Sequence, residues 1–159
     1  MVRPPDYTRA VAHGAHEPDE LVVLVVRTAK VMVDRLRAEG PDAESPLTVV
    51  HGLAMRYLLD RDEVTTVDIA RHLRITKQSA SEVVALLEQS GMVTREPHPS
   101  DGRARVVRLT RAGKRKLADA HRRWLRLERE WEAVVGCKEL EAVRDACQRY
   151  LDADPVAAY

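Results

Sequence analysis

The chain has 159 residues, with 26 Lys and Arg against 25 Asp and Glu, so its formal net charge is +1. One domain, or at most two, fits in this length. Charged residues make up 32% of the chain and hydrophobic residues 45%. This balance excludes a disordered chain and favours a soluble, helix-rich globular protein.

The charge is distributed unevenly along the chain. The segment from Arg71 to Lys116 holds 11 basic and 4 acidic residues, a net charge of +7, and the remainder holds 15 basic and 21 acidic residues, a net charge of −6. A basic segment inside an acidic frame suits a polyanion such as nucleic acid. A solvated charged surface would produce the same asymmetry, so charge alone leaves both interpretations open.

The sequence offers no signal for a membrane or an export pathway. The longest uninterrupted apolar run, Leu21 to Val26, has six residues, far fewer than the ~20 that span a bilayer. Residues 1–6 contain no apolar core of a signal peptide. We therefore expect a cytoplasmic protein that does not bind membranes.

The first part of the chain predicts an arm followed by two helices. Residues 1–18 are rich in Pro and Gly and are expected to form a flexible arm. Helical spacing of apolar residues starts at Asp19 and ends at Gly40-Pro41. Val23 and Val26 add a second apolar side, as in a helix packed between two partners. Ser45-Pro46 is predicted to open a second helix that ends in the polar residues 60–63.

The middle of the chain predicts short elements in a characteristic order. Residues 67–73 form a helix of barely two turns, and Thr76 caps a second helix that ends at Gly91. The apolar period then changes from 3.6 to 2, which predicts strands at 92–96 and 105–109. The residues between them, 97–104, have the composition of a long hairpin tip.

Two further helices are predicted after the hairpin. Thr110 caps a long helix that ends near Val135, before Gly136. Its apolar seam has the spacing of helix-on-helix packing and consists of Leu117, Ala120, Trp124, Leu127, Trp131 and Val134. The last helix is expected to bury Leu140, Val143, Cys147 and Tyr150.

A short helix, a tight turn, a capped helix and a basic hairpin together predict a winged helix-turn-helix. The capped helix would enter the major groove and the first helix would brace it. Ala80, Val83, Val84 and Leu87 are expected to face inward. The predicted DNA contacts are polar residues of the capped helix and cations of the hairpin, namely Lys77, Gln78, Ser79, Ser81, Glu82, Arg95, Arg103 and Arg105. Ordinary exposed residues would show the same composition.

The hairpin tip is the more specific signal. Arg103 would extend from the tip, where a narrow minor groove attracts a cation. A carboxylate next to the phosphates of DNA is unfavourable by charge, so Asp101 is expected to have a local role. That role is either to pair with an arginine of the wing or to cap the turn. In both cases it would hold Arg103 in position.

The residues of the hairpin carry a family resemblance. The sequence Asp101-Gly-Arg103, followed by Leu109-Thr110 and Gly113, resembles the D-x-R…L-T-x-x-G wing signature of the MarR family. The preceding segment from Leu87 to Arg95 is also similar. The resemblance covers roughly residues 47–117 by motif and extends to the flanking helices by architecture.

The resemblance implies a regulator of transcription that works as a homodimer. The expected fold is mainly α with a small β-hairpin wing, a winged helix-turn-helix at 47–117 plus a helical dimerisation region formed by 19–46 and 118–159. It implies that Arg103 enters the minor groove of double-stranded DNA. It also implies that a small effector often relieves DNA binding. The expected function is that of a repressor, although the sequence leaves repression and activation both open.

Family ligands usually lie between the dimerisation helices and the DNA-binding lobe. The candidate lining residues here are His51, Tyr57, His121 and Trp124, although a histidine beside a helix seam is more often structural. His51 stands where the family often has glutamine. No cofactor is expected.

Metal and thiol chemistry receive little support. His13 and His16 lie three apart in the arm without a carboxylate or cysteine pattern, so no metal site is expected. Cys147 is predicted to be buried, and Cys137 follows Gly136 in a turn. Their spacing is no redox motif.

Two other function classes compete with this interpretation. A winged-helix interaction or architectural module without operator specificity is the alternative to a sequence-specific regulator. An enzyme is not expected, because the predicted elements do not bring together a carboxylate pair, a catalytic triad, a phosphate-binding loop or a set of metal ligands.

Overall fold

The computed structural model describes residues 20–38 and 46–153. The predicted N-terminal arm, His13, His16, Gly40-Pro41 and Ser45 lie outside these ranges. Backbone contacts divide the chain into two units, Met1–Asp34 and Arg35–Tyr159. None of the helices within the described ranges is both long enough and apolar enough to cross a membrane.

The first helix, α1 (Leu21–Ala38), matches the predicted span and begins two residues after Asp19. None of its residues is buried. Val22 and Val26 are 74% and 62% exposed. Valines exposed to this degree leave apolar surface in water, so the helix has the composition of an interface without its partner.

The second helix, α2 (Val49–Tyr57), begins later than predicted. The sequence signal at Ser45-Pro46 was wrong, because Thr48 is the N-cap and forms a capping box with His51. The Thr48 backbone N–H donates to His51 Nδ1 at 3.0 Å. The helix also ends three residues before the polar run, with Leu58 as its C-cap.

The predicted helix-turn-helix is present. Helix α3 (Thr66–Leu73) begins one residue earlier than the sequence pattern indicated, and Thr65 is its N-cap. Arg74 ends it in the left-handed conformation, with φ 55°. Thr76 then caps α4 (Lys77–Gln89), as predicted, and accepts the Ser79 backbone N–H at 3.1 Å.

The hairpin follows α4 after Gly91, whose φ of 70° suits glycine. Strands β1 (Val93–Pro97) and β2 (Arg105–Leu109) pair antiparallel in the register Val93↔Leu109. β2 was predicted at the observed residues, and β1 is displaced by one. The Val107 N–H also donates to the Val64 carbonyl at 2.7 Å, which ties the hairpin to the segment before α3.

Helix α5 (Arg111–Val135) is capped by Thr110 and ends at Gly136, as predicted. Within its predicted seam Leu117 is buried, but Val134 is 83% exposed. None of the described residues covers the end of α5, so the packing of Val134 in a helix–helix seam stays a prediction.

The last helix, α6 (Cys137–Ala153), buries only Leu140 among its residues. Val143 is 39% and Tyr150 is 76% exposed, and Cys147 is exposed as well. The prediction that these three residues are buried was wrong, since none of the described residues covers this face of α6.

The core lies under the helix-turn-helix and the hairpin. The predicted inward residues of α4, Ala80, Val83, Val84 and Leu87, are all buried. They pack in one cluster with buried residues of the neighbouring elements, including Ala54, Ile69, Val93, Val107 and Leu117. This cluster fixes the outward face of α4 relative to the hairpin.

Candidate nucleic-acid interface

The outward face of α4 carries the predicted reading residues. Lys77, Gln78, Ser81 and Glu82 are exposed. Gln78 Nε2 donates to Glu82 Oε1 at 3.3 Å, which orients the amide. An oriented glutamine amide can form two hydrogen bonds to the edge of adenine in a major groove.

The remaining α4 candidate has a local role. Ser79 is half-buried, and its hydroxyl lies 2.9 Å from Thr76 Oγ1. Its backbone N–H is already taken by the same threonine. Ser79 therefore completes the N-cap of α4, whereas the exposed residues around it are available to a ligand.

A cationic cleft borders the start of α4. It has a volume of about 450 Å³, and Arg71, Arg74 and Lys77 line it together with the apolar Val67, Ala70 and Ile75. Arg71 Nη1 donates to Asp68 Oδ1 at 3.3 Å. Three cations next to free amides of a helix N-terminus form a surface that attracts phosphate. The DNA contacts predicted from the sequence did not include Arg71 and Arg74.

The bracing helix α3 is held by its own capping box. The Thr65 N–H donates to Asp68 Oδ2 at 2.9 Å, and the Thr65 hydroxyl donates to the same oxygen at 2.6 Å. Burial raises the pKa of Asp68, but these hydrogen bonds and the charge of Arg71 outweigh it, so the pKa lies below its ordinary value. Asp68 therefore stays ionised and keeps Arg71 in place.

The hairpin tip shows the second of the two roles proposed for Asp101. Its Oδ1 accepts the backbone N–H of Arg103 at 2.9 Å, and its carbonyl accepts the Ala104 N–H at 3.0 Å. Asp101 thus caps the turn. Both Asp101 and Arg103 are exposed, so the cation at the tip is open to a ligand.

The other two hairpin cations differ in their availability. Arg95 lies partly buried, with its Nε 3.2 Å from Glu88 Oε2 at the end of α4. Arg105 is exposed and donates through Nη2 to the Arg95 carbonyl at 3.3 Å. Arg105 can reach a phosphate without losing an ion pair, whereas Arg95 cannot.

The base of the hairpin contains a residue that sequence reasoning missed. Arg108 Nη1 donates to Asp62 Oδ1 at 2.9 Å, and its Nε lies 3.3 Å from Glu96 Oε2. The hydrogen bond from Arg108 to Asp62 raises the pKa of Arg108 further above its ordinary value. The sequence alone could not show that residue 62 approaches residue 108.

The predicted effector residues have separate surroundings. His51 is buried and bonded to Thr48, and His121 is exposed. Tyr57 stacks on His72 with ring centroids 4.0 Å apart, while Trp124 lies 6.0 Å from the Arg56 guanidinium carbon. Burial lowers the pKa of His51, which favours the neutral ring that accepts the Thr48 N–H.

Two surface clefts of the described residues are lined by other side chains. One is the cationic cleft, and the second, of about 470 Å³, lies between the end of α2, strand β2 and the start of α5. The structure supports a structural role for one nitrogen of His51. An effector role for the four residues stays a prediction.

Comparisons with known proteins agree with this arrangement. The model of the MarR family matches residues 45–104. An uncharacterized HTH-type transcriptional regulator of Mycobacterium leprae is 31% identical over 103 residues, which make up 65% of this chain and 68% of that protein. The family match therefore includes the helix-turn-helix, strand β1 and the hairpin tip.

Solved structures show the same fold. BpsR of Bordetella bronchiseptica, whose DNA binding is regulated by 6-hydroxynicotinic acid, superposes with a TM-score of 0.74 at 20% identity, over 89% of this chain and 100% of that chain. MepR of S. aureus in complex with DNA gives a TM-score of 0.70 at 19% identity, over 84% and 97% of the two chains. With the family match, the alignment and this fold, the chain belongs to the MarR family of winged-helix transcription regulators.

Proposed function

We propose that this protein is a sequence-specific DNA-binding repressor that acts in the cytoplasm as a homodimer on a pseudo-palindromic operator. The observation that carries the proposal is the capped turn at Asp101, which leaves the Arg103 cation exposed at the tip of a hairpin anchored beside α4. One rigid body thus offers a helix to the major groove and a cation to the adjacent minor groove.

The proposed contacts divide into two classes. Gln78, Ser81 and Glu82 read base edges, because they are exposed on the outward face of α4. Phosphates are bound by cations at the start of α4 and on the hairpin, namely Arg71, Arg74, Lys77 and Arg105. Arg103 senses groove width. Since phosphate contacts carry no sequence information, specificity depends on the first class and on Arg103.

The homodimer is supported by the uncovered apolar surface of the terminal helices. Leu21, Val22 and Val26 on α1 and Tyr150 on α6 are each more than 60% exposed. A second copy would bury such surface and, by two-fold symmetry, would place two α4 helices one helical turn apart on DNA, about 34–36 Å. Occupancy of that length of duplex excludes other proteins, which is the simplest route to repression.

A small effector would connect operator binding to a chemical signal. BpsR, a structural neighbour, is regulated by 6-hydroxynicotinic acid. We propose that a small aromatic ligand similarly changes the DNA affinity of this chain, with His51, Tyr57, His121 and Trp124 as the residues to test. Thermal shift in the presence of aromatic acids would detect such a ligand by mass action.

Selection from a random pool of DNA duplexes tests the function directly. The full chain is used to enrich bound duplexes over several rounds at moderate salt. We expect an inverted repeat whose half-sites are centred about 10–11 bp apart. Binding without enrichment of any sequence would contradict the regulator and favour the architectural or interaction module.

A further inference from the structure

We propose that Arg108 is a positioning residue of the wing, which acts through Asp62 and Glu96 to orient the hairpin, and with it Arg103, relative to α4. The proposal rests on the proposed DNA-binding function and adds a residue that does not itself contact DNA. The evidence lies at the base of the hairpin rather than at its tip.

Arg108 joins three segments of the chain. It belongs to β2, its Nη1 donates to Asp62 Oδ1 at 2.9 Å in the loop after α2, and its Nε lies 3.3 Å from Glu96 Oε2 on β1. The guanidinium therefore spans both strands of the hairpin and a loop of the helical body. A planar guanidinium that binds two carboxylates in different directions fixes an angle as well as a distance.

The loop is shaped to present Asp62. Asp60 and Glu63, on either side of it, both adopt left-handed backbone conformations, with φ of 61° and 58°. Such conformations cost energy in residues other than glycine and persist where the surrounding structure holds them. The loop therefore adopts an unfavourable backbone conformation at two positions close to the carboxylate that pairs with Arg108.

The same segment continues into the helix-turn-helix. Val64 accepts the Val107 N–H at 2.7 Å, and Thr65, the N-cap of α3, forms a bridge with Val106. Three of the four residues from 62 to 65, namely Asp62, Val64 and Thr65, therefore attach the hairpin to the start of α3. The backbone contacts fix the position of β2 beside the start of α3. The Arg108 ion pairs restrain rotation of the hairpin about this attachment.

The surroundings of Arg108 argue against two simpler roles. Two carboxylates beside the guanidinium would repel a phosphate, so it is unsuited to direct DNA contact. Its side chain is 38% exposed and that of Asp62 is 88% exposed, and ion pairs of such exposure contribute little to global stability. Orientation of the hairpin is the role that remains.

The first test uses a substitution for which electrostatics and loss of hairpin orientation predict opposite changes in operator affinity. Asp62→Asn removes a negative charge near a DNA-binding surface, so electrostatics alone would tighten operator binding. Loss of orientation instead predicts binding that is roughly threefold to tenfold weaker. Asp60→Asn is the matched control, because it removes the same charge from the same loop, does not pair with Arg108, and asparagine tolerates a positive φ.

The second test is a double-mutant cycle between Arg108→Gln and Arg103→Ala, with the Kd for the selected operator measured over a range of salt. If Arg108 acts through Arg103, Arg108→Gln weakens binding in the wild-type chain and has almost no further effect when Arg103 is already alanine. Because Arg108 then acts only through Arg103, its substitution lowers the salt dependence of binding by no more than Arg103→Ala does.

Three outcomes would overturn the proposal. They are additive effects in the cycle, a salt slope for Arg108→Gln that is smaller than the slope for Arg103→Ala, and tighter binding by Asp62→Asn that matches Asp60→Asn. Thermal unfolding of each variant establishes that it is folded at the temperature of the assay. If the wild-type chain binds no operator, the proposed function fails first, and this result is separate from every outcome of the cycle.

Discussion

The Oδ1 atom of Asp101 accepts the backbone N–H of Arg103 at 2.9 Å, so an acidic side chain orders the turn that carries the exposed cation. An acid close to a phosphate-binding surface is unfavourable by charge alone. The hydrogen bond from the Arg103 N–H explains why an acid is present, because it orders the turn. An ordered turn loses less entropy when Arg103 enters a groove.

Substitutions of Asp101 separate this geometry from charge. Asp101→Ala removes the acceptor and a negative charge, and we expect operator binding to weaken about fivefold, the effect of losing a side-chain cap of ~1 kcal/mol. Asp101→Asn keeps an oxygen acceptor and should bind as tightly as the wild-type chain or more tightly. Fluorescence anisotropy on the selected operator measures both, and tighter binding by the alanine variant would contradict the cap.

Gly113 of the T-x-x-G motif packs against the end of the α4–β1 connection. A Cβ at this position would overlap the carbonyl oxygen of Met92. Alanine normally stabilises a helix relative to glycine, but here we expect Gly113→Ala to lower the free energy of unfolding by roughly 1–3 kcal/mol. Urea denaturation measures the change.

Gly102 in the hairpin tip is the control for Gly113. A Cβ there meets no atom of the structure within 4 Å. Gly102→Ala should alter the free energy of unfolding by no more than about 0.5 kcal/mol. Equal effects of the two substitutions would show that the contact between Gly113 and Met92 is not close.

Stability should fall on mild acidification. Burial lowers the pKa of His51 from 6.5, and burial together with the charge of Arg61 lowers that of His72. Above pH 6.5 both histidines are mostly neutral in the folded and unfolded states. Below it the unfolded chain takes up protons that the folded chain resists, so the free energy of unfolding decreases as pH falls from about 6.5 toward the folded pKa values.

His51→Gln isolates one of the two groups. Glutamine at the third helical position also serves a capping box but does not titrate. Thermal unfolding between pH 7.5 and 5 should therefore show a shallower decrease in Tm for this variant, and the part that remains is assigned to His72. An identical decrease in the wild-type and variant chains would contradict a contribution from His51.

Cys137 should be a slow thiol despite its exposure. The charges of Glu141 and Glu132 raise its pKa, which reduces the thiolate that reacts. In a Cys147→Ser background, we expect Ellman's reagent to react with Cys137 more slowly than with glutathione at pH 7, and Glu141→Gln to increase the rate. A rate insensitive to Glu141→Gln would contradict this account.

Local signals in the sequence predicted the central part of the fold. Thr76 and Thr110 are N-caps where the sequence indicated them, and Gly91 and Gly136 end their helices with positive φ. These features depend on a few neighbouring residues, so sequence is sufficient to find them. The outward and inward faces of α4 followed in the same way from its apolar period.

The errors arose where a second contact decides the structure. Ser45-Pro46 had the composition of a helix start, but Thr48 and His51 together form the capping box. Cys147 lies on an apolar face, but none of the residues that the structure describes covers that face, so it is exposed. The pair of Arg108 and Asp62 joins residues 46 positions apart, a distance that periodicity does not encode.

The preference for the operator over a scrambled duplex, measured with and without Arg103, tests the central claim most directly. Anisotropy titrations of the wild-type chain and of Arg103→Ala are made on the selected operator and on a scrambled duplex across several salt concentrations. We predict that the wild-type chain prefers the operator by at least about 10³-fold and that Arg103→Ala loses affinity chiefly on the operator. Equal affinity of the wild-type chain for both duplexes, or an Arg103→Ala variant that binds the operator as the wild-type chain does, would contradict the account.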